Sequence, residues 1–375
     1  MKVSVITLLN VNNYGSVLQT YATKKTLEYL GCEVEFVDYW RANQTPKRQA
    51  EALLKSSTLK RLQPIWGCTA ATEKMMVLLL EEYVKLYKAP TRRFLEKYIT
   101  LTPQAYHSFE ELQNNPPKAD VYVTGSDQVW NSIWNEGVDY PLYLAFAPEG
   151  KKRIAFAASI GMDELIQSEI PEMQRLLKKY SAISMREASA VKQLSEIGIS
   201  SELILDPTLM LDGNQWKELA TFHEKKRQPY LLIYQLNKNT QMDDYAEELA
   251  ARNHWDIIRI GYSRSARKKA GFCALSPSVE DFLGYFVNAE HILTDSFHAT
   301  AFSLNLEKMF TVIMPPRFGT RIESILDLTG TQDRLLRNYQ DFTIADRKYD
   351  TESAQKILSI ERGKGVIFLK KALSL

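Results

Sequence analysis

Short apolar runs alternate with longer segments of helical spacing along most of this chain. The first set predicts a strand over residues 3–9, a helix over 16–30 that stops at Gly31, and a strand over 33–39. Further strands are predicted at residues 121–124, 153–158, 182–185, 202–205, 230–236, 256–261, 292–293 and 309–314. Further helices are predicted at residues 163–179, 187–197, 242–253, 278–288, 299–306 and 320–328, and over about the last 22 residues. This alternation is typical of parallel α/β sheets.

Two parts of the chain depart from the alternation. Residues 44–98 are rich in Lys, Leu, Met and Tyr and have helical periodicity without a clear strand, which predicts a helical insertion that covers part of a site. Residues 212–229, with the charged run 223–227, resemble a linker.

At 375 residues the chain is long for one domain. We therefore predict an α/β fold of two doubly wound, Rossmann-like domains that face each other across a cleft. The N-terminal domain spans residues 1–212 with its insertion at about 44–98, and the C-terminal domain spans 228–350. The final helix, 351–375, is expected to pack back across the domains.

Composition narrows the class of protein. A formal net charge of +2 gives no global field for gathering nucleic acid, so an anionic ligand would be bound by local charges. Cys32, Cys68 and Cys273 are widely spaced and odd in number, which predicts neither a disulfide framework nor a metal site. The first apolar run is followed directly by polar residues, and residues 75–80 are too few to span a bilayer. We expect a cytoplasmic protein without a transmembrane segment, and association with the inner membrane face stays open.

Polar residues cluster where predicted strands end. In parallel sheets this edge binds ligands, because helix N-termini there present free backbone N–H groups. The clusters follow five strands and contain the candidate residues Asn13, Tyr14 and Gly15; Ser126, Asp127 and Gln128; Arg186; Asp295, Ser296 and His298; and Arg317 and Arg321.

Two of these clusters offer reactive groups. His298 can transfer protons near neutral pH, although Asp295 or Ser296 could instead cap the helix and leave His298 packed. Arg186 can hold a carboxylate or phosphate through paired hydrogen bonds, or form a salt bridge to Glu187.

The other clusters offer binding groups. Gly15 allows a close backbone approach at a helix N-terminus, or simply forms a strand-to-helix turn. The segment at Ser126 ends in Trp130, which suits a sugar, or it is a capped helix with a core tryptophan. Of Arg317 and Arg321, one is expected to face the cleft.

Five motifs in order resemble the polysaccharide pyruvyl transferase family. The motifs are Asn13-Tyr14-Gly15-Ser16-Val17-Leu18-Gln19, Gly125-Ser126-Asp127-Gln128-Val129-Trp130-Asn131, Ser184-Met185-Arg186-Glu187, Asp206-Pro207-Thr208-Leu209 and Thr294-Asp295-Ser296-Phe297-His298. The resemblance implies a GT-B-like architecture and transfer of pyruvate from phosphoenolpyruvate to two sugar hydroxyls, with a cyclic ketal and phosphate as products. It implies that Arg186 binds phosphoenolpyruvate, that His298 is catalytic, and that Arg321, or else Arg317, supplies a further cation. Ser296 departs from branches of the family that carry arginine there, and Ala299 replaces a common glycine.

The chemistry of this reaction matches the candidate residues. Ketal formation needs protonation of the methylene carbon, stabilisation of an oxocarbenium-like centre and deprotonation of a hydroxyl. His298 would be the acid, and Asp127 or Asp295 would be the base or would orient His298. We expect no metal and no cofactor. The expected partners are phosphoenolpyruvate and a glycan acceptor, lipid-linked or not, without nucleic acid, and the oligomeric state stays open.

Two other functions fit the same residues. One is a GT-B glycosyltransferase that uses a nucleotide sugar in the same cleft. The other is a non-catalytic protein of this fold that binds a glycan or metabolite. In that case replacement of His298 would leave ligand affinity intact.

Overall fold

The computed structural model describes residues 1–57, 59–61, 69–222, 228–261, 266 and 268–375. Cys68 and the charged run 223–227 lie outside these residues, so the predictions made on them are not addressed by the structure.

The first half of the chain builds a seven-stranded sheet in which every pair is parallel. Its order is β3-β2-β1-β4-β5-β6-β7, so the chain leaves β1 first toward one edge and then toward the other. The strands are β1 Lys2–Ile6, β2 Glu33–Tyr39, β3 Leu101–Tyr106, β4 Val121–Thr124, β5 Lys152–Ala158, β6 Ala182–Met185 and β7 Glu202–Leu203. The direction of winding reverses between β1 and β4, the position at which doubly wound sheets bind ligands.

The second half of the chain builds a five-stranded sheet, also with parallel pairs throughout. Its order, β10-β9-β8-β11-β12, places the corresponding reversal between β8 and β11. The strands are β8 Tyr230–Tyr234, β9 Asp256–Gly261, β10 Phe272–Leu275, β11 His291–Thr294 and β12 Met309–Val312. The architecture is therefore the predicted pair of doubly wound parallel sheets.

Helices connect and cover both sheets. They are α1 Tyr14–Tyr29, α2 Pro46–Leu54, α3 Ala70–Tyr98, α4 Phe109–Asn114, α5 Ser132–Asn135, α6 Ile170–Leu177, α7 Ala188–Glu196, α8 Pro207–Met210, α9 Gly213–Leu219, α10 Thr240–Asn253, α11 Val279–Asn288, α12 Phe297–Asn305, α13 Thr320–Thr329 and α14 Thr351–Leu373. In the segment 44–98, the described residues are mainly helical, with α2 packed on α3.

One predicted helix is shorter than expected and several elements were not predicted, among them the short helices α4, α5, α8 and α9, the last of which lies in the segment predicted as a linker. The helix predicted over residues 163–179 is confined to Ile170–Leu177, because Pro171 lies in its first turn and fits only the start of a helix. Strands β3 and β10 were not predicted. Both are edge strands. β3 has exposed residues at its centre and lacks the continuous apolar run of a buried strand, whereas β10 is a run of four apolar residues, mostly not buried, that was overlooked.

Contacts made by Tyr14 and by Arg362 help to fix the two sheets relative to each other. Tyr14 of α1 stacks on Phe282 of α11 with a centroid distance of 4.4 Å, and its hydroxyl donates to the Pro277 carbonyl at 2.7 Å. From α14, Arg362 donates to the Leu209 carbonyl at 2.8 Å and to Asn305 Oδ1 at 2.6 Å. The carboxyl ends of strands from both sheets consequently border one cavity.

Candidate active site

A cavity of about 470 Å³ lies between the two sheets. Its walls come from the segments that follow β1, β4, β8, β11 and β12. The lining residues are Asn13, Asp127, Gln128, Ile133, Trp134, Leu236, Asn237, Asp295, Ser296, Phe297, His298, Pro315, Pro316, Arg317, Phe318, Arg321 and Ile322. Eight of these 17 residues are strand-end candidates chosen from the sequence.

His298 lies in the first turn of α12, directly after β11. Ser296 is the N-cap of this helix, and its side chain accepts from the Ala299 N–H. The imidazole rests against α1 of the other sheet, because a Cβ atom at Gly15 would overlap the ring. His298 is only 6% exposed, and its Nε2 has no hydrogen-bond partner among the described residues. The glycine and the cap together fix the position of a ring that lines the cavity and whose buried Nε2 is unpaired among the described residues.

The proton affinity of His298 is low. Burial lowers its pKa to about 4; nearby Asp206 opposes this change and Arg186 adds to it. The ring is therefore neutral at pH 7 and can accept a proton. This differs from the ordinary pKa assumed from the sequence, which could not reveal how deeply the ring is buried.

Arg186 lies beneath the cavity and does not line it. Its fully buried guanidinium donates to Asp206 at 2.6 Å and to Asp127 at 3.2 Å. The salt bridge to Glu187 considered from the sequence is also present, at 3.8 Å from Nε. Burial disfavours the charge, but Asp206 and Asp127 outweigh it and raise the pKa of Arg186. The binding of phosphoenolpyruvate by Arg186 stays a prediction. Its observed contacts position the carboxylates of Asp127 and Asp206.

Asp127 lines the cavity in a left-handed conformation, with φ of 71°. It accepts from Arg186 and from the Ser16 hydroxyl. Burial favours the neutral acid, yet Arg186, followed by His298, lowers the pKa of Asp127 below its ordinary value. Such a carboxylate is a weak base at neutral pH. Asp127 therefore contributes to the site through its negative charge and its hydrogen bonds and not through proton transfer.

Asp206 was not among the candidate residues, although it starts one of the five motifs. It accepts from Arg186, from the Ser126 hydroxyl at 3.1 Å and from the Thr208 N–H at 2.8 Å. Burial favours its neutral form, but Arg186 lowers its pKa overall. Ser126 therefore supports Asp206 below the cavity and does not line it.

Asp295 lines the cavity, and its carboxylate is hydrogen-bonded to the loop after β8. Its carboxylate accepts from the Leu236 N–H at 2.7 Å and from the Asn237 N–H at 2.9 Å. Burial raises its pKa, and these same hydrogen bonds partly offset the effect. Asp295 therefore shapes the wall next to His298.

Arg321 is the cation best placed for a ligand. It lies in the first turn of α13, lines the cavity, and donates to the Phe318 carbonyl at a long 3.5 Å. Its Nε has no partner among the described residues. Burial, then the charge of Arg186, lowers its pKa to about 10, so it stays protonated at pH 7. Arg317 also lines the cavity, but as an exposed side chain.

The N-terminus of α13 adds to the attraction that Arg321 would exert on an anionic ligand. Its N-cap, Gly319, supplies no side-chain acceptor, and the buried Thr320 hydroxyl has no partner among the described residues. The first N–H groups of a helix lack intrahelical acceptors and favour anions. Phe297 lies below, with its ring centroid 5.0 Å from Arg186 and 5.8 Å from Arg321.

The remaining candidates fall into two groups. Asn13 and Gln128 line the cavity, where Asn13 caps α1 by accepting from the Ser16 N–H at 3.2 Å. Tyr14 does not line it and instead joins the two sheets, as described above. A missed pair borders the cavity: Trp134 is 52% exposed, and its ring lies 5.8 Å from that of Phe318 across the cleft. An exposed tryptophan four residues after Trp130 was the available signal.

Two absences concern the described part of the chain. There, no group of three or more His, Cys, Asp or Glu side chains is arranged to hold a metal ion. No helix in the same ranges combines the length and apolarity needed to cross a membrane.

Comparisons with known proteins agree with this architecture. The family model described as polysaccharide pyruvyl transferase matches residues 13–315. No curated protein matches the chain. The solved UDP-GlcNAc 2-epimerase of Neisseria meningitidis bound to UDP-GlcNAc is 11% identical, covers 100% of this chain and 99% of its own, and has a TM-score of 0.50. The S. aureus MnaA–UDP co-structure is 12% identical, with coverages of 100% and 97% and a TM-score of 0.51. The fold is thus of the GT-B type.

Proposed function

The chain belongs to the polysaccharide pyruvyl transferase family, and on that premise we propose that it transfers pyruvate from phosphoenolpyruvate to two hydroxyls of a sugar. The acceptor would be a surface polysaccharide or its precursor. The observation that supports this most is that His298, with an unpaired Nε2, and Arg321, with an unpaired Nε, line one cavity. A proton-transfer group and a free cation are what an anionic enol donor requires.

We propose that the donor anion binds at the N-terminus of α13. Arg321 and the free N–H groups there would hold the phosphate or carboxylate, and Arg317 would reach the ligand from the exposed wall. Arg186 already pairs with Asp127 and Asp206. We therefore propose that it positions these two carboxylates and does not contact the donor directly.

The neutral state of His298 suggests the order of proton transfers. His298 would accept the proton of the first sugar hydroxyl, and the resulting imidazolium would protonate the methylene carbon while the hydroxyl oxygen bonds to the adjacent carbon. Loss of phosphate would give the oxocarbenium-like centre. The second hydroxyl would then attack it, and its proton would leave with the phosphate, so the products are a pyruvate ketal and inorganic phosphate.

We propose that the sugar enters past Trp134 and Phe318, two cavity-lining residues whose rings lie 5.8 Å apart. Sugar rings carry apolar C–H faces that pack on aromatic side chains, and half of Trp134 is exposed for such a contact. A cytoplasmic location belongs to the same proposal, because phosphoenolpyruvate is a cytoplasmic metabolite. A lipid-linked acceptor would also be compatible with it.

Phosphate release from phosphoenolpyruvate in the presence of candidate glycans tests the proposal. Wild-type protein should release phosphate only with an acceptor, and His298→Ala should be slower by about 100-fold or more, the share of a general acid–base group. His107→Ala is the matched control, because His107 is exposed and outside the cavity. Turnover of a nucleotide sugar with none of phosphoenolpyruvate would instead indicate a glycosyltransferase. Ligand binding that His298→Ala leaves intact, without any turnover, would indicate a binding protein.

A further inference from the structure

A second cavity, of about 180 Å³, lies beside helix α3 at the carboxyl ends of β1 and β2. It shares no lining residue with the candidate active-site cavity. We call it the Lys88 cavity; its wall includes Leu9, Asn10 and Val11 after β1, Trp40 after β2, and Lys88 and Arg92 of α3. Parallel α/β sheets bind ligands outside the carboxyl ends of their strands, so this cavity lies where a ligand site is expected.

Lys88 brings a buried positive charge into this wall. It is only 8% exposed, and its Nζ donates to the Asn10 carbonyl at 3.0 Å and to the Gln44 carbonyl at 2.9 Å. An ammonium group has three N–H donors, so one of them has no acceptor among the described residues. Burial, and then the charge of Arg41, lowers the pKa of Lys88 to about 8, which leaves it mostly protonated at pH 7.

The other cations of the wall are already paired, whereas Lys88 is not. Arg92 forms ion pairs with Asp38 at 3.3 Å and with Glu96 at 3.0 Å. Lys85 pairs with two glutamates of its own helix. In the described part of the chain no carboxylate forms an ion pair with Lys88. The wall therefore holds one positive charge that no neighbouring carboxylate balances.

The rest of the wall is mainly apolar. Leu9 and Leu95 are each 1% exposed, and none of the described lining residues is Asp or Glu. The ring centroid of Trp40 lies 5.8 Å from Lys88 Nζ, which places the ammonium beside another residue of the wall. The volume of the cavity equals that of about six water molecules in the liquid. Apolar walls with a few polar groups that fix orientation are typical of sites for small molecules.

We propose that the Lys88 cavity binds a small organic anion with one carboxylate and an apolar body. The carboxylate would accept the remaining N–H of Lys88, and the apolar body would lie against Leu9, Val11 and Leu95. A buried charge is costly unless it is paired, and the bound carboxylate supplies the missing partner. Inorganic phosphate fits less well, because it brings up to two charges and no apolar part to a wall with one unbalanced cation.

The Lys88 cavity and the candidate active site share one loop. Asn10, which accepts from Lys88, precedes by three residues Asn13, which lines the active-site cavity. A ligand in the Lys88 cavity would therefore contact the loop that forms part of the active-site wall. The proposed transfer of pyruvate is not a premise of this binding.

Calorimetric titration of the full-length protein with benzoate tests the proposal without any turnover. Benzoate carries one carboxylate on an apolar ring, and it should bind about tenfold or more tightly than benzamide, its neutral counterpart. Lys88→Met keeps the length of the side chain without its charge and should lower the affinity for benzoate about tenfold or more. Lys74→Met changes an exposed lysine of α3 outside the cavity and should keep that affinity.

Two further variants locate the bound benzoate. Val11→Phe adds a ring to the wall while leaving Lys88 in place, and it should weaken benzoate binding about tenfold or more. Arg321→Ala changes the unpaired cation of the active-site cavity and should leave the affinity for benzoate unchanged, which separates the two cavities. A thermal melt of each variant shows that the fold is retained.

Three results would overturn the proposal. The first is that benzoate does not bind, or binds no better than benzamide, which would mean that the charge of Lys88 attracts no carboxylate. The second is an unchanged affinity for benzoate in Lys88→Met, which would place the anion elsewhere. The third is binding of inorganic phosphate that Lys88→Met abolishes, which would assign the cavity to phosphates.

Discussion

At the scale of single residues, two arginines near Phe297 differ in what they touch. Arg186 pairs with two buried carboxylates, whereas Arg321, among the described residues, makes a long hydrogen bond to a carbonyl and has no carboxylate partner. The sequence indicated both as anion binders, because it shows the residue type at a strand end and not the partners. The structure separates a positioning residue from one that is open to a ligand.

Replacement of Arg186 by alanine should mainly lower the stability of the protein, whereas replacement of Arg321 by alanine should mainly lower its affinity for the donor. Arg186→Ala leaves Asp127 and Asp206 buried without their cation, which should cost about 3–5 kcal/mol of unfolding free energy. Arg321→Ala should cost less stability, because Arg321 leaves no buried carboxylate behind, but should weaken phosphoenolpyruvate binding about tenfold or more, since hydrogen bonds to charged groups are worth about 1.5–3 kcal/mol. Urea unfolding and calorimetric titration with phosphoenolpyruvate measure the two quantities. A stable Arg186→Ala protein with weak donor binding would restore Arg186 as the donor contact.

His298 also links stability to pH. Its pKa is about 4 in the folded chain against about 6.5 when unfolded. Between these values the unfolded chain binds the proton and the folded chain does not, so stability falls as pH falls through this window. At pH 5 the cost is about 2 kcal/mol, at 1.36 kcal/mol per pKa unit.

His298→Gln removes this titration, so its loss of stability between pH 7 and pH 5 should be about 2 kcal/mol smaller than that of the wild type. Buried Asp139, with a pKa raised to about 6, acts in the opposite direction but is present in both proteins and cancels. Urea unfolding at the two pH values measures the difference. Equal losses would mean that His298 is protonated in the folded protein.

At the scale of elements, the first turn of α1 packs against α12 at the contact between Gly15 and the His298 ring. Gly15→Ala would place a methyl group in the space of the His298 ring, so one helix would have to move. Overpacking of this kind costs about 1–3 kcal/mol. We expect the variant to fold but to lose about tenfold or more of its turnover, because a displaced ring no longer reaches the substrate.

Gly363→Ala is the control, since its added Cβ meets nothing within 4 Å and should stabilise α14 by about 0.5–1 kcal/mol without changing turnover. The comparison uses steady-state kinetics and thermal unfolding of both variants. Full turnover in Gly15→Ala would show that the contact between Gly15 and His298 does not matter for the reaction.

The elements themselves were predictable where burial is continuous. The bounds of β2, β4, β6 and β9 match their prediction, because buried parallel strands appear as apolar runs. Edge strand β3 was missed for the opposite reason, because its central residues are exposed, and β10 was missed although its four residues are apolar. Of the site, the sequence indicated eight of the cavity-lining residues, while the contacts of Asp206 and Trp134 depend on distant segments that the fold brings together.

At the scale of the whole molecule, the cavity exists because two sheets present their carboxyl ends to each other. Tyr14 and the final helix α14 hold this arrangement through contacts that join segments more than 100 residues apart in sequence. Sequence patterns act within a few residues, so they predicted the two sheets and a final helix expected to pack back across the domains, but not which residues make these contacts. The family match and the converging side chains together lead to the proposed transfer of pyruvate.

Mass spectrometry of the acceptor after incubation with phosphoenolpyruvate in deuterated water tests that proposal most directly. Protonation of the methylene carbon from an exchangeable group should give a ketal whose mass equals the acceptor plus pyruvate less water, with one deuterium in the new methyl group. His298→Ala should form it about 100-fold more slowly or less. An acceptor that is unchanged across a panel of surface glycans, but gains a sugar from a nucleotide sugar, would contradict the account.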